Sequence, residues 1–199
     1  MNIKFLLLFL IIILSSCGQN GKTNKRDTNE IEYVSNSEIV GGFDREKYPI
    51  LQEAILLKED NSLTEAIEKF NIAEKEYGPM IPIYLNRGVV YQQMGKSKES
   101  ITDFEKCLSL NNEYYAALIN RGIAYVYSNQ SEKALIDLDK AIEINPTEPA
   151  TYLNRAIAYN DLGKTKLACS DYKKAKSLGL MDKYGSDSVP RWLKIKCVF

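Results

Sequence analysis

The 199-residue sequence contains no histidine. That absence removes the usual general base, the commonest metal ligand and the imidazole of most nucleophilic triads. No Cys-x-x-Cys pair, glycine-rich phosphate loop or paired-carboxylate motif stands out. Neither catalysis nor a metal or cofactor is therefore expected. A charge excess is missing too: Lys and Arg total 26, as do Asp and Glu. A neutral chain without a basic block argues against nucleic acid as partner. Long apolar runs are scarce. The one at Phe5–Leu14 has ten residues, against about 20 needed to span a bilayer.

What is present is a period. The phrase Tyr84-Leu85-Asn86-Arg87-Gly88 returns as Leu118-Ile119-Asn120-Arg121-Gly122 and as Tyr152-Leu153-Asn154-Arg155-Ala156, each 34 residues on. The same step relates Tyr91, Tyr125 and Tyr159, and also Lys106, Lys140 and Lys174. A fainter copy precedes them at Ala54, Ala66, Phe70 and Ala73. A fixed period of this length marks stacked repeats that bury a continuous core only together. Each unit reads as a helical hairpin. Tyr84, Gly88 and Tyr91 share one helical stripe, Gly95 lies at the turn, and Ile101, Phe104, Cys107 and Leu108 form a second stripe. Small residues recur where the two helices must approach closely: Gly88, Gly122 and Ala156; Ser100, Ala134 and Ala168; Cys107, Ala141 and Ala175. Asn145-Pro146 closes the third unit.

This pattern resembles the tetratricopeptide repeat, over residues 47–180. The expected fold is all-α, an α-solenoid of four tetratricopeptide hairpins at 47–80, 81–114, 115–148 and 149–180, with a C-terminal capping segment at 181–199. The resemblance implies that the first helix of each hairpin lines a concave side. Its inner stripe would carry Leu85, Asn86, Val89, Gln92 and Gln93, then Ile119, Asn120, Ile123, Val126 and Tyr127, then Leu153, Asn154, Ile157, Asn160 and Asp161. An aliphatic wall bearing amides suits an extended peptide, since asparagine both donates and accepts. The Asn86, Asn120, Asn154 row resembles the asparagine ladder of O-GlcNAc transferase repeats. The other reading is that these asparagines only bond the neighbouring inter-repeat loop. The slots of a carboxylate clamp hold Leu51, Leu85, Ile55 and Val89, so recognition of a charged carboxy-terminus is not expected.

Arg87, Arg121 and Arg155 each lie sixteen residues before Asp103, Asp137 and Asp171, and Glu53 and Lys69 occupy those slots in the first unit with signs exchanged. The swap points to structural ion pairs within each hairpin. The alternative is an arginine row for anionic ligands.

Ahead of the repeats, Lys4 and the apolar run end in Leu14-Ser15-Ser16-Cys17, which resembles the lipobox of bacterial lipoproteins. That resemblance implies a signal peptide at 1–16 and a diacylated Cys17, palmitate being a usual acyl group; an ordinary signal peptide with a chance cysteine is the other reading. Residues 17–44 read as a tether, since Gly18–Asn29 holds no apolar residue. About 27 such residues would span roughly 30 Å. Loss of Lys4 would leave a formal charge of −1 (25 basic, 26 acidic). The expected location is the bacterial cell envelope, lipid-anchored, with the outer membrane favoured and the periplasmic or surface face open. The expected function is a membrane-anchored scaffold or adaptor for a protein or extended peptide. The alternative is a glycan- or peptidoglycan-binding accessory protein, for which Tyr127 is the clear aromatic candidate in the groove.

The last segment resembles the end of many bacterial repeat lipoproteins. Cys169 occupies the slot of Ile101 and Leu135, which should face a following hairpin. Only Met181–Phe199 follows, and Trp192, Leu193 and Ile195 would supply its apolar side. Cys197 is expected to lie beside Cys169 as a disulfide, whereas Cys107 reads as a buried small apolar residue.

Overall fold

The computed structural model describes residues 46–185 and 189–197, so the expected signal peptide, the lipobox cysteine Cys17 and the tether to residue 44 lie outside the described residues. Every described regular element is a helix: α1 Pro49–Glu59, α2 Leu63–Tyr77, α3 Ile81–Gln93, α4 Ser97–Leu110, α5 Tyr115–Tyr127, α6 Ser131–Ile144, α7 Pro149–Asp161, α8 Thr165–Ser177, and two short ones, α9 Leu180–Tyr184 and α10 Arg191–Lys196. Consecutive helices pair into four hairpins. They fall into two compact units, one holding α1–α4 and the other α5–α10.

Proline starts three of the first helices, at Pro49, Pro82 and Pro149. There the missing N–H has no intrahelical partner to lose and the fixed φ suits helix. The turn inside each hairpin is also periodic. Asn61, Gly95, Asn129 and Gly163 all have positive φ, at 61°, 72°, 55° and 70°. The residue after each donates to the carbonyl five back: Ser62 to Leu57, Lys96 to Tyr91, Gln130 to Tyr125 and Lys164 to Tyr159, each at 2.8 Å. The left-handed residue itself donates three back in all four turns. This is the Schellman arrangement, which satisfies the last carbonyls of one helix and reverses the chain into the next.

The small residues of the register form the helix contacts. Ala54, Ala156, Ala66, Ser100, Ala134, Ala168, Ala73, Cys107, Ala141 and Ala175 are fully buried. A Cβ on Gly88 would come within 2.6 Å of the Phe104 ring, and one on Gly122 within 3.0 Å of Leu138 Cγ. Phe70, Phe104, Leu138 and Tyr172 occupy one slot of the period and are all buried. Truncating such a phenylalanine to alanine costs about 3–5 kcal/mol. Burial pushes the Cys107 thiol well above its usual pKa, with Asp103 adding to the effect.

In the second unit α9 and α10 pack on α8, as a cap over the last hairpin. Cys169 and Cys197 form a disulfide with their Cα atoms 5.2 Å apart. Leu180, Val189, Leu193 and Cys197 turn inward. One expectation needs correcting: Ile195 is 63% exposed and does not cover the hairpin. Leu193 and Cys197, four apart, face α8, which leaves Ile195 on the opposite side of a helix of 3.6 residues per turn.

Candidate ligand-binding face and the arginine row

In the first unit the inner stripe holds Leu85, Asn86 and Val89, exposed by 4%, 1% and 7%. In the second unit the equivalent positions hold Ile119, Asn120, Ile123, Leu153, Asn154 and Ile157, each buried as well. Gln92 and Tyr127 keep partial exposure, and burial raises the pKa of the Tyr127 phenol. Within each unit these positions form close-packed aliphatic surface with amides set into it.

The amides differ. Asn86 Nδ2 donates to the carbonyl of Pro82 at 2.7 Å, and Asn86 Oδ1 accepts from Lys58 Nζ at 2.7 Å. That amide is satisfied inside the first unit, by its own helix and by α1. Asn154 is 2% exposed, and neither its Oδ1 nor its Nδ2 has a hydrogen-bond partner. The position 28 residues upstream of Asn86 is Lys58, whereas 28 upstream of Asn154 is Val126, which has no polar group to offer. A buried amide without partners costs on the order of 1–3 kcal/mol.

The arginine row is paired within hairpins. Arg87 Nε and Nη2 donate to Asp103 Oδ2 and Oδ1, both at 2.8 Å. Arg121 and Asp137 repeat that fork at 2.8 and 2.7 Å, and Arg155 and Asp171 at 2.7 and 2.8 Å. Lys69 meets Glu53 at 2.7 Å. Such forks are the strong form of charge-assisted bonding. The first fork is deep: the Arg87 and Asp103 side chains are 6% and 4% exposed.

A second function of these arginines was not read from the sequence. Arg87 Nη1 reaches Asn71 Oδ1 at 2.7 Å and Glu74 Oε2 at 2.6 Å on α2, and Lys106 Nζ meets Glu74 Oε1 at 3.0 Å. Arg155 Nη1 likewise reaches Asp139 on α6 at 2.7 Å. Each of these two arginines therefore holds its own hairpin together with two nitrogens and the preceding hairpin with the third. Burial disfavours charge on Glu74, but Arg87 and Lys106 outweigh it and lower its pKa. Burial and Glu74 together push the Tyr84 phenol up to about 12. With these partners taken, the guanidinium groups of Arg87 and Arg155 serve the fold.

Three tetratricopeptide-repeat family models match the chain, over residues 81–114, 115–148 and 138–175. The chain is a tetratricopeptide repeat protein. Solved structures agree with its all-α repeat fold. MamA 41-end from Desulfovibrio magneticus RS-1 is similar at 21% identity and a TM-score of 0.63, covering 68% of this chain and 75% of that one. A tetratricopeptide repeat protein from Parabacteroides merdae is similar at 22% identity and a TM-score of 0.64, covering 74% of this chain and 58% of that one. A further MamA structure aligns at 20% identity and a TM-score of 0.62, over 67% of this chain and 73% of its own. No curated protein matches the chain in sequence. Repeats of this kind form protein-interaction scaffolds.

Proposed function

We propose that this tetratricopeptide repeat protein is a membrane-anchored scaffold that holds an extended peptide or protein segment in the bacterial cell envelope. The anchor would be a lipid on Cys17 and the outer membrane the favoured site. The apolar run, the two serines and the cysteine in sequence support that part of the reading. The peptide part is supported by one observation above others: the buried, unpartnered amide of Asn154, set between Leu153 and Ile157 along α7. A peptide main chain carries both the donor and the acceptor that this amide lacks.

The test is Asn154→Ala, with capture of envelope proteins and thermal unfolding measured on the same samples. If Asn154 serves a ligand, capture falls while the melting temperature holds or rises, because an unsatisfied buried group has been removed. A loss of melting temperature in step with capture would assign the residue to the fold. The anchor is tested separately: intact-mass measurement of the mature protein should show diacylglycerol and cleavage before Cys17, and an unmodified N-terminus elsewhere would reject it.

A further inference from the structure

The neutral total conceals a separation of charge. Residues 149–199 hold ten Lys and Arg against four Asp and Glu, a formal charge of +6, and the preceding 148 residues carry the balancing −6. Arg155 is paired with Asp171, and Lys183 with Glu148 at 2.6 Å. The other eight are exposed. Of the acids, Asp171 is taken by Arg155, Asp161 and Asp182 are exposed, and Asp187 lies outside the described residues.

Seven of the exposed cations lie on α8 and α10, the two elements that the disulfide joins. Lys166, Lys173 and Lys176 lie three before, four after and seven after Cys169, hence on the helical stripe that carries it. Across the bond, α10 reads Arg191-Trp192-Leu193-Lys194-Ile195-Lys196. Leu193 anchors it to α8. Ile195 stands 63% exposed between two lysines. Trp192 is half-buried, with Lys196 Nζ 5.6 Å from its ring centroid. The disulfide pins this helix, so its side chains are presented without a large ordering cost.

We infer that the cap is a docking surface for an anionic lipid bilayer, independent of any lipid on Cys17. A row of cations alone would fit any polyanion. The cap instead sets an exposed aliphatic and an indole among its cations. At a membrane the ring and the isoleucine enter the headgroup boundary while ammonium and guanidinium groups meet phosphates. A purely acidic polypeptide such as polyglutamate would satisfy the charges and leave Ile195 in water.

Trp192 is the single tryptophan of the chain, so its emission reports this surface directly. The experiment uses the full-length protein with vesicles of phosphatidylcholine, alone or containing phosphatidylglycerol, and with brominated lipids as quenchers. Residues 1–45 act alike in every variant. Expected is a blue shift and quenching of Trp192 on the anionic vesicles only. The shift should reverse as salt rises from about 0.1 M to about 1 M, where the screening length falls from about 10 Å to about 3 Å. Arg191→Gln with Lys194→Gln and Lys196→Gln should weaken this binding about a hundredfold, at roughly fivefold per cation. Ile195→Ser, at an exposed position that the fold does not need, should keep full helicity and lose most of the quenching. It tests the surface even if the triple variant unfolds. Three results would overturn the inference: unchanged Trp192 emission on vesicles that carry the protein, an equal shift on neutral vesicles, or the same shift from soluble polyglutamate that displaces the vesicles. The last would assign the surface to an acidic polypeptide. None of these outcomes bears on Asn154 or Cys17.

Discussion

Tyr184 donates its phenolic proton to Glu148 at 2.6 Å, joining the cap to the N-terminus of α7 across 36 residues. The same carboxylate accepts from Lys183 Nζ at 2.6 Å and from the backbone N–H of Ala150 at 3.3 Å. Glu148 is only 8% exposed. It caps one helix and latches another.

Glu148→Ala should therefore loosen α9 and fray the start of α7 together. A loss of about 1–3 kcal/mol is expected, the range for unmaking buried charge-assisted bonds. Hydrogen exchange should speed at residues 180–184 and 149–152 while α5 is unaffected. Exchange rising in α9 alone would show that the helix cap does not depend on this side chain.

Reduction of the Cys169–Cys197 bond opens a loop with a sequence separation of 28. The chain-entropy account puts its contribution at roughly 3–4 kcal/mol. Non-reducing peptide mapping should recover the two cysteine peptides linked. With the bond reduced, proteolysis should begin in α10 before it reaches α8. Equal resistance before and after reduction would mean that Leu180, Val189 and Leu193 hold the cap unaided.

The acid–base pairs should differ in worth by their burial. Asp103→Ala leaves Arg87 buried with one fork unmade, and a loss of about 3–5 kcal/mol is expected. Glu53→Ala removes a pair whose side chains are 52% and 35% exposed, and should cost less than about 1 kcal/mol. Denaturant midpoints of the two variants, compared at constant slope, decide this. Equal losses would contradict the burial argument.

Glu74 gives the first unit a pH dependence of known sign. Its folded pKa lies below the ordinary value of 4.5. Its contribution is present above that value and lost as pH falls through the lowered folded pKa. The stability of wild type relative to Glu74→Gln should accordingly be greatest near neutrality and shrink below about pH 4.5. A difference that is flat between pH 3 and 7, or that grows on acidification, would remove Glu74 from the account.

The hairpin turns predict opposite effects at equivalent positions. Gly95→Ala meets open space, with nothing within 4 Å of the new Cβ, yet φ is +72°. A loss of about 1–2 kcal/mol is expected from conformation alone. Asn129→Gly relaxes the same strain at φ 55° and should be neutral or slightly stabilising. Thermal melts of both variants suffice, and a destabilising Asn129→Gly would mean that its side chain bonds locally.

The repeat and its helix contacts were legible because one residue type per slot recurs at a constant step: Gly88, Gly122 and Ala156 cannot be read otherwise than as close contacts. The arginine forks were legible for the same reason, helped by the sign exchange at Glu53 and Lys69. The turn is plain at Gly95, and Asn61 and Asn129 at the same step carry a weaker form of the same signal, since asparagine is the other residue that tolerates left-handed backbone. What the period does not carry is the difference between copies. Asn86 and Asn154 look alike in sequence, and only the packing of α1 beside α3 shows Lys58 satisfying one of them. Glu148 and Ile195 belong to the junction with the cap, which occurs once and so has no second copy to compare.

The forks close spans of 16 residues, the disulfide 28, and the Glu148 latch 35 and 36. Closures this short cost little chain entropy, and chains built from them fold quickly. A pull on such a chain meets its resistance in instalments: each hairpin carries its own fork, and where Arg87 or Arg155 also binds the hairpin before it, that bond must break as well. The cap is the exception, since its covalent bond ties the last hairpin to the segment that covers it. Under tension, a protein tethered at its N-terminal side would yield in steps and keep its far end folded longest.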